Sequence, residues 1–130
     1  MEFDERLWER SLDNQKTAVA GKRVEFIHGD AVAFKVPKEV DCCFLFNPFA
    51  LHTLKRVLAN IFDSVYQEPR RLRFFFYYPY EETEAFLLNH VNLTVEDIID
   101  CRDLFDGTDR REKILVLTVD EKIFWIKHMT

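Results

Sequence analysis

The sequence predicts an α/β protein built on an open, mostly parallel sheet that closes with an antiparallel pair of strands. Three observations carry that expectation. Short runs of β-branched and aromatic residues alternate with longer runs whose apolar positions recur every three or four residues. Gly21, Gly29 and Gly107, with Pro37, Pro48 and Pro79, fall at the edges of these runs and act as punctuation. The last third then drops the helical period, and two strand-like runs flank the polar stretch DGTDRR, which holds the hairpin signal Asp106-Gly107. Alternating strands and helices imply a parallel sheet, and such sheets take ligands beyond the carboxyl ends of their strands.

The elements follow in order. Over residues 4–20, Leu7, Trp8, Leu12 and Val19 share one helical face and Gly21 supplies a stop, so a first helix is expected there. Residues 23–28 (RVEFIH) are β-branched and aromatic and end at Gly29-Asp30, which fits a strand. Residues 41–46 (DCCFLF) form a second strand, apolar on both faces like those that parallel sheets bury. Leu51, Leu54, Val57, Leu58, Ile61, Phe62 and Val65 then mark an amphipathic helix, the strongest helical period in the chain. A third strand follows at 72–77 (LRFFFY). A shorter helix spans 81–90, opened by acids that suit its dipole, with Ala85, Leu87 and Leu88 turned inward. Residues 94–101 and 113–119 (KILVLTV) make the closing antiparallel pair. The tail KIFWIKHM is a further strand or a packing arm, and periodicity does not choose between them.

Bulk properties bound the function. At 130 residues the chain has the length of one domain, 1–130, and 48% hydrophobic residues with 13 Phe are enough for an aromatic-rich core. A net charge of -5 gives no whole-molecule attraction to nucleic acid or anionic lipid. Arg70, Arg71 and Arg73 read as solvated surface, as do Arg110 and Arg111. With no apolar run long enough for a membrane span and a charged N-terminus, the chain reads as cytoplasmic and as having no membrane partner. Cys42, Cys43 and Cys101 are odd in number, lie in apolar segments and lack C-x-x-C spacing, so they read as reduced core residues and no metal site is expected.

Two strand ends carry the candidate chemistry. In FLFNPF, an apolar run stops at Asn47-Pro48-Phe49. An amide at the end of a buried strand has lost its water, so Asn47 is either a satisfied turn residue, Asn-Pro being a common turn opener, or a group facing a ligand. In HGDA, Asp30 precedes Ala31 at the end of the preceding strand, where an acid on its own is most often a turn residue. The aromatic stretch 77–80 lines either the core or a cleft. His52 reads as a solvated residue at a helix start. No G-x-S-x-G nucleophile elbow occurs, which argues against a hydrolase.

HGDA and FNPF at successive strand ends, followed by a parallel strand, a helix and an antiparallel pair, make the chain resemble the later part of a class I S-adenosylmethionine-dependent methyltransferase with a Rossmann-like sheet. The resemblance implies that Asp30, with Ala31, takes the adenine amine of S-adenosylmethionine. It implies that Glu2, or failing it Asp4, holds the ribose hydroxyls from the tip of the family's second strand. Asn47, Pro48 and Phe49 resemble the family's (D/N)-P-P-(Y/F) with one Pro missing, and would hold a target amine with its lone pair aimed at the methyl group. No G-x-G occurs in the chain. The resemblance therefore implies an N-terminally truncated, partial methyltransferase domain, inactive alone, or else a non-catalytic binding or structural module. The methyl acceptor is open among nucleic acid, protein and small molecules. Missing strands would leave residues 23–28 and 41–46 as open edges, which pair with each other or with another chain, as in a homo-oligomer.

Overall fold

Four strands make one sheet in the computed structural model, which describes residues 1–18, 21–23, 25, 27–46 and 50–119. They are β1 (Cys42–Phe46), β2 (Arg73–Tyr77), β3 (Leu93–Asp100) and β4 (Lys113–Val119), in the spatial order β1-β2-β4-β3. β1 and β2 are parallel, with Cys43 beside Phe74 and Phe46 beside Tyr77. β4 is antiparallel to both its neighbours, so β3 points the same way as β2. The architecture is α/β with a mixed sheet, and the antiparallel pair closes it as expected. A bulge between Val95 and Asp97 interrupts the β3 ladder.

The helices are α1 (Glu5–Thr17), α2 (Leu51–Gln67) and α3 (Glu81–Leu88). Contacts divide the chain into two compact units, Met1–Lys35 and Val36–Thr130.

In the second unit, alternation decides which face is buried. Phe74 and Phe76 on β2 are fully buried, as are Leu117 and Leu115 opposite them on β4, while Arg73, on the other face of β2, is exposed. Leu54 and Leu58 of α2, Leu87 of α3 and Leu72 complete this core, each at 1% exposure or less. α2 forms where its three and four residue period predicts, burying Leu54, Val57, Leu58, Ile61 and Val65. α3 has Glu81, Glu82 and Glu84 in its first turn, next to the partial positive charge of the free amide ends. It buries Thr83 and Leu87, whereas Ala85, expected inward, is exposed. With eight residues it makes barely two turns, so its inner face holds few positions.

Arg70 departs from the solvated role expected of it. Its guanidinium donates to the carbonyls of Pro37 (3.1 Å), Val40 (2.6 Å), Ser64 (3.1 Å) and Glu68 (2.9 Å) and to Ser64 Oγ (2.8 Å). Five donors in a fixed fork suit a cluster of loose carbonyl oxygens, such as those a helix leaves at its C-terminus. Arg71 and Arg73 both reach Glu96, at 2.8 Å and 3.2 Å.

The 41–46 strand is also not what its composition suggests. β1 lies at the sheet edge, with Phe44 and Phe46 each 60% exposed and Cys42 exposed. A strand is buried on both faces only where other elements pack on both, and the face that carries Cys42, Phe44 and Phe46 is left exposed. Cys42 is therefore not a core residue. Cys101 is buried, as expected, while Cys43 is only half-buried.

In the first unit, Asp4 caps α1, its carboxylate accepting from the amides of Arg6 (2.9 Å) and Leu7 (3.4 Å). The helix ends at Thr17, short of the expected 20, and buries none of its residues, with Leu7 53% exposed. The expected strand over 23–28 is absent from the described residues. Gly21–Arg23 form a 3-10 turn, and among the described residues beyond it His28 makes a parallel bridge with Glu2. A ladder needs a partner of similar length, and residue 3 already turns toward α1. The tail KIFWIKHM lies outside the described residues.

Candidate functional site

The first unit brings Glu2 and the His28-Gly29-Asp30 stretch together through two backbone hydrogen bonds. Glu2 N–H donates to the Ile27 carbonyl and Gly29 N–H to the Glu2 carbonyl, both at 2.9 Å. His28 is fixed from both sides: Nε2 lies 2.9 Å from the Phe3 carbonyl oxygen, and the ring stacks on Trp8 at 5.1 Å. The chain ends of this bridge are thus held in place by the residues that flank them.

Each acid there has one oxygen committed locally. Asp30 Oδ1 accepts from Val32 N–H at 3.0 Å, closing the turn that carries Ala31, and no described group reaches Oδ2. Glu2 Oε1 accepts from Asp4 N–H at 3.0 Å, and no described group reaches Oε2. Asp30 is exposed, while Glu2 and Ala31 are half-buried. The remaining lone pairs are acceptors, which is the chemistry that an adenine amine and ribose hydroxyls require, so the residues present fit the adenosine end of S-adenosylmethionine. Asp4, the alternative to Glu2, is used up as the α1 cap, and its hydrogen bonds to Arg6 hold its carboxyl below the usual range.

Asn47, Pro48 and Phe49 lie outside the described residues. The residue before them, Phe46, does not, and it opens an aromatic cluster at the carboxyl ends of β1 and β2. Its ring lies 5.2 Å from that of Tyr77 and 6.4 Å from that of Tyr78, the latter stacked. Tyr78 has φ 61, a left-handed backbone that is uncommon for a residue with a side chain and that concentrates at functional or tightly constrained sites. Pro79 after it is fully buried and Tyr80 is half exposed. The stretch 77–80 therefore serves both as core and as surface.

Charged groups from the connection between β3 and β4 complete the cluster. Tyr77 O–H donates to Glu112 and Tyr78 O–H to Asp109. Arg111 pairs with Asp109 at 3.1 Å and lies over the rings of Tyr78 (5.0 Å) and Tyr80 (5.6 Å). Bonding to the Glu112 carboxylate, helped by burial, pushes the Tyr77 phenol up to about 12, and the bond to Asp109 raises Tyr78 likewise. Arg111, then Tyr78, hold Asp109 down at about 2. Both phenols are thus neutral donors near pH 7 and are not bases. What the cluster offers is an exposed aromatic face on Phe46.

Sequence reasoning missed Asp109, Arg111 and Glu112. They reach Tyr77 and Tyr78 because β4 lies beside β2, with the Tyr78 amide donating to the Lys113 carbonyl at 3.0 Å. That strand order has no local signature. A cavity of about 250 Å³ lies nearby, lined by Ile98, Asp100, Arg102, Arg110 and Lys113. Two of its three cations are already neutralised, Arg102 by Asp100 at 2.7 Å and Lys113 by Glu84 at 2.9 Å, so it is a weak anion site. His52 is exposed, as expected. No protein-family model matches the chain, and no curated protein or solved structure is detectably similar to it.

Proposed function

We propose that the chain is a class I methyltransferase-like domain, Rossmann-like in its sheet, that takes the adenosine end of S-adenosylmethionine at Glu2 and Asp30. The single observation that carries this reading is the parallel bridge between Glu2 and His28. The resemblance implies a ribose-binding acid and an adenine-binding acid at the tips of neighbouring parallel strands, and the bridge sets these two acids at neighbouring chain ends. The antiparallel closure of the sheet supports it too.

The division of labour follows from the resemblance and, for Glu2 and Asp30, from their uncommitted carboxylate oxygens. Glu2 Oε2 accepts from ribose hydroxyls and Asp30 Oδ2 from the adenine amine, while Ala31 packs beside the base. The resemblance assigns the acceptor amine to Asn47 and the Pro48 carbonyl, with Phe49 as its cover. S-adenosylmethionine, when bound, supplies an electrophilic methyl group. An oriented amine needs little else from the protein, since the transfer is an in-line displacement.

A second reading, a non-catalytic methyltransferase-like module, is favoured by one fact: no Gly-x-Gly occurs in these 130 residues. Without such a loop, nothing comparable holds the amino acid end of the cofactor. Calorimetry on the chain tests the proposal. Adenosine and S-adenosylmethionine are expected to bind with dissociation constants within about threefold of each other and above about 1 μM, and Asp30→Ala to weaken both at least about tenfold. Absence of binding by either ligand at about 1 mM overturns the cofactor assignment and leaves the non-catalytic module.

A further inference from the structure

The two outer edges of the sheet are built differently. β3 carries Glu96, Asp97 and Asp100 and is broken by a bulge, the devices that keep a strand edge from pairing with another chain. β1, at the other edge, has five residues, Cys42, Cys43, Phe44, Leu45 and Phe46, with no charge, no Pro and no bulge among them. Its polar groups can be assigned to sides. Arg73 N–H donates to the Asp41 carbonyl at 2.8 Å, so in this parallel ladder residues 41, 43 and 45 turn their backbone groups to β2. The amides and carbonyls of Cys42, Phe44 and Phe46 then face outward, and no described group pairs with them.

The geometry points to a second copy of this chain as the occupant, its β1 antiparallel to the first across a two-fold axis at Phe44. The self-pairing is complementary at every position. Phe44 meets Phe44 of the partner subunit, Cys42 meets the partner's Phe46, and Cys43 meets the partner's Leu45. The first two kinds of pair are those whose backbone groups face outward, so the register satisfies all three unpaired residues on each side with about six hydrogen bonds between chains. No like charges are brought together. The same operation on β3 would set acid against acid. A two-fold contact also joins the exposed faces of Phe44 and Phe46 from both copies into one aromatic strip, a favourable cross-strand arrangement. The assignment does not rest on the methyltransferase reading.

Sedimentation of the purified 130-residue chain tests it. The native chain is expected to run as a dimer, and Phe44→Lys, which sets two ammonium groups against each other at the axis, to raise the dimer dissociation constant at least about a hundredfold. Phe44 is exposed, so an unchanged far-ultraviolet circular dichroism spectrum should accompany the loss. Ile99→Lys, also at an exposed apolar position but on the guarded edge, should leave the dimer intact. A native chain that is monomeric at about 100 μM overturns the proposal and leaves the edge to a segment of the chain itself or to a different protein. A dimer that survives Phe44→Lys, or one that Ile99→Lys dissociates, also overturns it.

Discussion

Arg70 shows how one side chain can hold several segments at once. Its guanidinium joins the carbonyls that end α2 to those of residues 37 and 40; the Ser64 and Pro37 carbonyls also accept backbone amides, while those of Val40 and Glu68 accept from Arg70. Removing it leaves the part-buried Val40 carbonyl without its donor and loosens the others, so Arg70→Lys, which keeps the charge and loses the planar fork, should cost about 1–3 kcal/mol in denaturant unfolding. Arg71→Lys, at an exposed surface pair, should be near neutral. Tyr77 gives a second residue-scale expectation. A phenol whose folded value is raised contributes stability that is fully present below the unfolded value near 10 and is lost as pH rises toward the folded value of about 12. Tyrosinate absorbance should therefore show Tyr77 and Tyr78 ionising later than a free phenol, and Glu112→Gln should bring Tyr77 down. Equal titration of all four tyrosines would contradict the hydrogen bonds described. Neither Arg70 nor the tyrosine partners were legible in the sequence. An Arg-rich run and a polar turn look solvated until the strand order brings carbonyls and phenols to them.

At the scale of elements, what the sequence shows well is what local periodicity determines. α2 lies where seven apolar positions recur at helical spacing, and β2, β3 and β4 lie where β-branched and aromatic runs stand between turns. Gly107, with φ 84, takes the left-handed turn that Asp-Gly announced. What periodicity cannot show is how many neighbours a strand has. β1 and residues 23–28 have similar apolar character, yet β1 is a half-paired edge, and the described residues of 23–28 show one bridge, at His28. The junction after α1 was also partly legible. Gly21 reads as a helix stop, but its requirement for glycine is steric, because a Cβ there would sit 2.1 Å from the Gln15 carbonyl oxygen. Gly21→Ala must push that backbone aside, an overpacking worth about 1–3 kcal/mol. Amide exchange should speed up through α1 and stay unchanged in β2. Unchanged exchange in α1 would mean that the junction is not closely packed.

For the whole molecule, the candidate site was legible as residue types and only partly as geometry. Asp30 and Glu2 were singled out from HGDA and from an acid near the start of the chain, and the structure joins them through the bridge at His28. Asn47, Pro48 and Phe49 fall outside the described residues, and the aromatic cluster beside them depends on contacts between segments about thirty residues apart, such as Tyr78 with Asp109. No described helix is long and apolar enough to cross a membrane. The account therefore turns on whether the two acids of the first unit receive an adenosine group. Amide chemical shifts of the labelled chain, followed as S-adenosylmethionine is added, test that most directly. The prediction is that the largest changes fall at Glu2 and at residues 28–32, with β3 and β4 unaffected. Changes absent from those residues, or confined to the β3–β4 pair, would contradict it.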